Sequence, residues 1–415
     1  MSGKQDYATK NENLTCHANS RFAERGSSMK IAVAGGGTAG HVNIGLEILR
    51  ANRERGGRGI YLGGDSGFES RLVPRAGEQL EIIPAKPFAL RSMGRKLEAV
   101  ATIAASVRAS RRVLLRERVD LVAGTGSYVS LGPCLAARTL GIPVVLHEAN
   151  ALPGLANRLL APLAQRICVG FAESAEWMRG RVTVYTGNPA RWKAACVNRS
   201  GGRHSFLVLG GSEGSPFLNA RTPELLAELK SLGLPFGVRH LTGICDPEPV
   251  RRAYAERGVE AEVSAFTNDL RAAYDEATFV ISCAGAVTMA ELASAGLPAL
   301  LTPLGRSADN HQEANARLCA GRTELPWTTE ARWNAAELAR TLHQILTAGE
   351  RLEALGWNIH SEATRRAAEA FIAVCEAALQ ETIDRRSAVR LPRVATPARW
   401  RESADIDLYG TWAKK

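Results

Sequence analysis

Two glycine-rich segments carry the residue types best suited to chemistry. Gly35-Gly36-Gly37-Thr38-Ala39-Gly40-His41 follows the apolar run Met29-Lys30-Ile31-Ala32-Val33-Ala34, and Gly210-Gly211-Ser212-Glu213-Gly214 follows Ser205-Phe206-Leu207-Val208-Leu209. A glycine loop between a buried strand and a helix gathers bare backbone N–H groups and the positive end of a helix dipole at one spot, where anions such as phosphates bind. Glycine is needed where a Cβ would block close approach or forbid the turn. One such loop fits many dinucleotide enzymes, or a tight turn with no ligand. Two loops at the same place in successive halves point to a cleft between the carboxyl ends of two sheets. The first loop lacks a strict G-x-G-x-x-G. The acidic partner of a dinucleotide ribose is also poorly placed, because Glu54 lies inside the following helix and Asp65 follows Gly63-Gly64. A dehydrogenase therefore ranks behind other phosphate-handling enzymes.

The elements that must hold these loops can be read from the hydrophobic pattern. After the first loop a helix is expected to about Arg55, then strands at Ile60-Tyr61-Leu62-Gly63-Gly64 and around Ile82-Ile83-Pro84, and a helix over 95–118. Asp120-Leu121-Val122-Ala123-Gly124 and Pro143-Val144-Val145-Leu146-His147 read as buried parallel strands separated by a helix over 133–140. The pattern restarts at residue 205, with a helix over 217–230 and strands at 239–241, 261–263, 279–282 and 298–301; helices near 285–295 and 310–320 flank the last strand. Alternation of this kind gives two doubly wound α/β domains. Residues 29–190 form the first, Thr186-Gly187-Asn188-Pro189 a hinge, and 191–359 the second. A last helix is expected over 360–380, with a leader at 1–28 and a basic tail at 384–415.

Composition narrows the partners. A formal net charge of +10 favours an anionic partner: nucleic acid, a membrane surface or a phosphorylated substrate. Low aromatic content and the lack of an aromatic-plus-basic motif weigh against nucleic acid. The eight cysteines are scattered singly with no C-x-x-C pair, as in a reduced cytosolic protein. The leader has no apolar core of a secretory signal, and no stretch reaches the length of a spanning helix.

The segments Gly36-Gly37-Thr38-Ala39-Gly40-His41-Val42, Gly126-Ser127-Tyr128-Val129-Ser130 and Gly141-Ile142-Pro143-Val144-Val145-Leu146-His147-Glu148-Ala149-Asn150 resemble the bacterial peptidoglycan N-acetylglucosaminyltransferases of glycosyltransferase family 28. So do Gly187-Asn188-Pro189-Ala190-Arg191, the loop over 210–214 and residues 282–303, in the same order and spacing. The resemblance covers residues 29–380. It implies a GT-B fold, two Rossmann-like domains facing a cleft, with the C-terminal helix crossing back to the first domain. It implies inverting transfer of N-acetylglucosamine from its UDP donor to undecaprenyl-pyrophosphate-linked muramoyl-pentapeptide, forming a β-1,4 bond in peptidoglycan biosynthesis. No metal or other cofactor is expected, in keeping with the lack of a D-x-D pair or a His/Cys cluster within residues 29–380.

The resemblance also implies roles. Ala286-Val287-Thr288-Met289-Ala290-Glu291 would open a helix aimed at the donor pyrophosphate, with Glu291 holding the ribose hydroxyls; the alternative for Glu291 is an ordinary solvated helix residue. Asp309, Gln312 and Asn315, spaced i, i+3, i+6, would share one helix face, and Gln312 would bond the donor sugar. Ser212 matches a donor-binding serine, Thr267 stands where backbone groups hold uracil, and Asn150 matches an asparagine that reaches the sugar across the cleft. Arg191 matches an arginine that contacts the donor, or is a plain surface arginine. Thr38, Ala39, Gly40 and His41 would face the acceptor, and Tyr128 either shapes its pocket or packs. His41 is the better-placed catalytic base, or only a binding group, and Glu148 is its rival.

Several positions depart from the family pattern. Ala39 replaces a glycine, Asn43-Ile44 an aromatic-proline pair, Ala149 a glutamine, Glu213 a glutamine, Ser215 an alanine and Thr267 an aliphatic residue. The first two leave the acceptor less defined than the donor, so a related transferase with another lipid or metabolite acceptor, or a UDP-sugar epimerase, stays open. Between residues 86 and 118, basic side chains alternate with Leu97, Val100, Ile103 and Val107. This segment is either an amphipathic helix lying on the anionic cytoplasmic face of the membrane, making the protein peripheral, or a packing helix with a solvated cationic face.

Overall fold

The computed structural model of the chain describes residues 28–87, 93–178, 180–191, 204–267, 269–305, 310–323, 325–348, 364 and 366–390. Residues 1–27 of the expected leader and 391–415 of the expected tail lie outside them.

The first sheet is built from β1 (Lys30–Ala34), β2 (Arg58–Gly63), β3 (Leu80–Ile82), β4 (Leu121–Gly124), β5 (Val144–Glu148), β6 (Arg166–Val169) and β7 (Thr183–Tyr185). Its helices are α1 (Ala39–Glu54), α2 (Glu69–Arg75), α3 (Met93–Arg116), α4 (Leu131–Leu140) and α5 (Leu155–Leu160). The strand order is β3-β2-β1-β4-β5-β6-β7, all parallel. Central strands such as Leu121-Val122-Ala123-Gly124 are buried at every position, because helices cover both faces of a parallel sheet. The sequence pattern did not reveal β6 and β7. Each is only three or four residues long, too short to show a period, and each is defined by pairing in register, β6 on β5 and β7 on β6.

The second sheet contains β8 (His204–Leu209), β9 (Phe236–Leu241), β10 (Ala261–Ser264), β11 (Phe279–Ser282) and β12 (Ala299–Leu301), ordered β10-β9-β8-β11-β12. Around it lie α6 (Pro216–Ser231), α7 (Glu248–Glu256), α8 (Leu270–Glu276), α9 (Ala286–Ala295), α10 (His311–Thr323) and α11 (Ala335–Thr347). In both sheets, all of whose strands are parallel, the order of strands reverses once, between β1 and β4 and between β8 and β11. Ligands of doubly wound sheets bind outside such reversals, and each glycine loop leaves the carboxyl end of a strand at one.

The last helix, α12 (Ala367–Arg390), corrects the expected limits: residues 384–390 are helical and do not begin a tail. The extension stays on the first domain, where Arg386 donates to the Gly141 carbonyl and Arg166 pairs with Glu381. Further back, Arg55 pairs with Glu376 at 2.8 Å, and Phe371 packs edge-on against His147. One cluster of buried apolar side chains runs from the α1 and α12 face of the first sheet through Ala149, Ala151 and Phe171 into the second domain. A separate cluster fills the other face under α3 and α4.

Candidate active site

The first loop is shaped by what lies beneath it. Thr38 is the N-cap of α1, with an extended backbone, but its side chain makes no cap bond. Its Oγ1 lies 2.8 Å from His41 Nδ1 instead. Thr125 Oγ1 donates to the His41 carbonyl at 3.0 Å, and the imidazole lies against Gly126, whose φ of +97° suits only glycine. In the tautomer whose Nδ1–H donates to Thr38 Oγ1, Nε2 carries the lone pair. Burial, and then the neighbouring His311, pull the His41 pKa down to about 4, so the ring is neutral near pH 7.

Glu148, the rival base, is 2% exposed and its oxygens are already engaged. Oε1 accepts the Asn150 N–H at 2.9 Å; Oε2 accepts the Gly154 N–H at 3.0 Å and Asn157 Nδ2 at 2.8 Å. Burial raises its pKa, and these donors oppose the rise. Glu148 therefore anchors the 150–154 turn, and of the two candidates His41 has a ring nitrogen, Nε2, with no hydrogen bond among the described residues.

Across the cleft, α9 starts at Gly285, whose extended backbone leaves the first-turn N–H groups without a side-chain cap. Ala286, Met289 and Ala290 pack inward, while Val287 and Thr288 are half-buried. A Cβ on Gly40 would lie 3.6 Å from Val287 Cγ2, so the N-termini of α1 and α9 approach each other from the two domains. Two positive helix ends converge there, as a diphosphate requires. Deeper in α9, Glu291 is 5% exposed; its Oε1 accepts Arg191 Nε at 2.8 Å and its Oε2 accepts the Tyr274 hydroxyl at 3.1 Å. It is not a solvated helix residue, and Arg191 is not a plain surface arginine.

The remaining positions divide. Ser212 is exposed on the second loop, and Tyr128 packs on Gly37 from the first domain. Gln312 Oε1 accepts the Leu304 N–H at 3.0 Å, holding the 304 turn against α10. Thr267 Oγ1 accepts the Asp269 N–H at 3.2 Å, so its side chain shapes a turn. The helix face expected over Asp309, Gln312 and Asn315 begins only at His311, because Asn310 has a φ of +54°; Asp309 lies outside the described residues. Asn315 faces protein: its Oδ1 accepts the Ala151 N–H at 2.9 Å, and its Nδ2 donates to Asn150 Oδ1 at 3.2 Å and to the Ala284 carbonyl at 3.1 Å. It thus bridges the two domains and fixes Asn150 at the cleft.

The family model for the glycosyltransferase family 28 N-terminal domain matches residues 31–169, and that for the C-terminal domain matches 205–370. A Stutzerimonas stutzeri protein named UDP-N-acetylglucosamine–N-acetylmuramyl-(pentapeptide) pyrophosphoryl-undecaprenol N-acetylglucosamine transferase is 36% identical over 352 residues, 83% of this chain and 97% of the relative. The chain belongs to glycosyltransferase family 28. A Pseudomonas paraeruginosa protein of the same name is 38% identical over 357 residues, 83% of this chain and 98% of its own. The crystal structure of Acinetobacter baumannii MurG superposes with a TM-score of 0.69 at 28% identity, covering 85% of this chain and 99% of that one. The two parallel-sheet domains are those of a GT-B fold.

Three residues at this family 28 cleft escaped sequence reading. Tyr274 bonds Glu291 from another helix, and no spacing in the sequence links the two. His311 lies near enough to influence both His41 and Glu148, and its Nδ1 is buried with no hydrogen-bond partner among the described residues. Thr125, directly after β4, was legible only as a loop residue. The departures at Ala39 and Ile44 are absorbed by packing: Ala39 is 6% exposed in the first turn of α1, where φ is negative, and Ile44 is fully buried.

Proposed function

We propose that this chain is an inverting hexosyltransferase that moves N-acetylglucosamine from UDP-N-acetylglucosamine to undecaprenyl-pyrophosphate-linked muramoyl-pentapeptide, turning lipid I into lipid II. The observation that carries the reading is the convergence of the α1 and α9 N-termini at Gly40 and Val287, with His41 beside them. The names of relatives matching nearly their whole length support it.

In this reading the donor diphosphate sits on the N–H groups that open α9, and Glu291 takes the ribose diol, held by Arg191 and Tyr274. Backbone near Thr267 takes the uracil, Ser212 and Arg191 approach the donor, and Asn150 and Gln312 border the sugar. The acceptor hydroxyl attacks the anomeric carbon from the opposite face, its proton passes to His41 Nε2, and the bond to the UDP oxygen breaks. The charge that develops on UDP falls on the α9 dipole. Residues 29–190 with α12 form the acceptor half and residues 191–359 the donor half. Absorption of Ala39 and Ile44 into the core favours the same acceptor as the relatives.

The chain works at the cytoplasmic face of the membrane as a peripheral protein. Among the described residues no helix is long and apolar enough to cross a membrane. On α3, Val100 and Leu115 are exposed, as are Arg108 and Arg112, whereas Lys86 pairs with Glu98 and Arg116 with Glu81 and Glu117. Arg91 lies outside the described residues, as do the side chains of Arg95, Lys96 and Leu97. Incubation with UDP-N-acetylglucosamine and the muramoyl-pentapeptide lipid is expected to give the disaccharide lipid and UDP. No disaccharide beside an active control enzyme would refute the reading, and sugar release or isomerisation without acceptor would point to an epimerase.

A further inference from the structure

Glu69 opens α2, is 1% exposed, and has no part in the roles above. Its Oε2 accepts the Gly37 N–H at 3.0 Å and its Oε1 accepts the Gly64 N–H at 3.0 Å. One buried carboxylate thus ties the loop after β1 to the loop after β2. Glycines close around it. A Cβ on Gly36 would lie 2.7 Å from Glu69 Oε2, one on Gly67 2.6 Å from Oε1, and one on Gly63 2.7 Å from Cγ. Gly37 itself has a φ of +76° and carries the Tyr128 ring on its other side.

A carboxylate buried for packing alone would be costly, since an apolar side chain could fill the space. Its bonding to two backbone donors gives another reason for it. Two N–H groups that converge on one side chain need an acceptor at both of its ends, which a carboxylate supplies and a carboxamide does not. The Gly37 N–H is turned inward to Glu69, so the loop presents Thr38 and the first turn of α1 to the cleft. Thr38 in turn holds the His41 ring.

We propose that Glu69 is a positioning residue for the acceptor half of the reaction, fixing Gly36 and Gly37 so that Thr38 and His41 meet the acceptor. The proposal rests on the functional reading above, which assigns this loop and His41 to the acceptor. Glu69→Gln keeps the shape but turns an NH2 group toward one of the two N–H donors, whichever way it flips. Gly36→Ala pushes on the same carboxylate from the loop side and serves where Glu69→Gln folds poorly.

The test is two-substrate kinetics of both single variants and the double variant, with UDP stoichiometry by calorimetry counting intact donor sites. Glu69→Gln is expected to lower kcat/KM for the lipid acceptor at least tenfold, with UDP stoichiometry and Kd held within twofold. The double variant is expected to be no worse than the weaker single variant by more than twofold, since both act through one contact. An unchanged acceptor kcat/KM, equal losses for acceptor and UDP, or effects that multiply in the double variant would overturn the proposal while leaving the functional reading intact. An inactive wild type would overturn the functional reading, and the proposal with it.

Discussion

The loop after β1 rests on side chains, whereas the loop after β8 rests on backbone. Beneath the first, Glu69 and Thr125 fill the space a Cβ on Gly36 or Gly35 would need, and Thr125 and Thr38 bond the His41 carbonyl and ring. In the second, Gly214 and Gly243 pack directly on each other, and a Cβ on Gly214 would lie 3.1 Å from the Thr242 carbonyl carbon. Gly211, Ser212 and Glu213 above that contact are exposed. Glycine-rich loops of similar composition at equivalent places therefore have glycines for different reasons. The first is fixed by polar groups beneath it and presents one neutral histidine. The second is a tight backbone crossing with a free rim, and α9 of the same domain opens with N–H groups that no side chain caps.

The largest expected effect lies on the first loop. His41→Asn should lower kcat by about 10²–10⁴-fold, the range of a lost general base, with little change in Tm. Its pH signature follows from the depressed pKa. A base must be neutral to accept a proton, so kcat/KM of the wild type should hold as pH falls through 6.5 and drop only toward about 4. An acid limb centred at 6.5 would remove the buried-imidazole picture. On the second loop the expected losses are of stability. Gly214→Ala combines a φ of +78° with a backbone clash and should cost about 2–3 kcal/mol, seen as a lowered Tm. Gly211→Ala, with a φ of +79° and nothing within 4 Å, should cost only about 1 kcal/mol. Equal shifts in Tm would mean that the backbone crossing adds nothing. The smallest effect is expected at Tyr274→Phe, which removes one hydrogen bond to Glu291 and should raise KM for the UDP-sugar by roughly 3–10-fold with acceptor KM unchanged.

Both sheets were legible in the sequence wherever a strand was an uninterrupted apolar run closed by glycine, as at residues 30–34, 121–124 and 205–209. β6 and β7 were not, because strands of three or four residues are defined by the neighbour they pair with, β5 for β6 and β6 for the edge strand β7. The loops and the α9 opening were legible because the glycine spacing and the helix start are local. The groups that tune them were not. Glu69 lies 32 residues from Gly37, Tyr274 lies 17 from Glu291, and Asn315 lies 165 from Asn150. The chain crossings that join them leave no periodic trace. Glu148 read as a base from its motif alone, and only the N–H groups of Asn150, Gly154 and Asn157 around it reveal an anchor.

Calorimetric titration of UDP into His41→Asn and Glu291→Ala tests the division between the two halves most directly. His41→Asn is expected to bind UDP within about twofold of wild type, since the base touches neither ribose nor diphosphate in the proposed arrangement. Glu291→Ala is expected to weaken UDP by at least about tenfold through loss of its charge-assisted bonds to the ribose. A His41→Asn protein that loses UDP, or a Glu291→Ala protein that binds it as tightly as wild type, would contradict the assignment of donor and acceptor to separate loops.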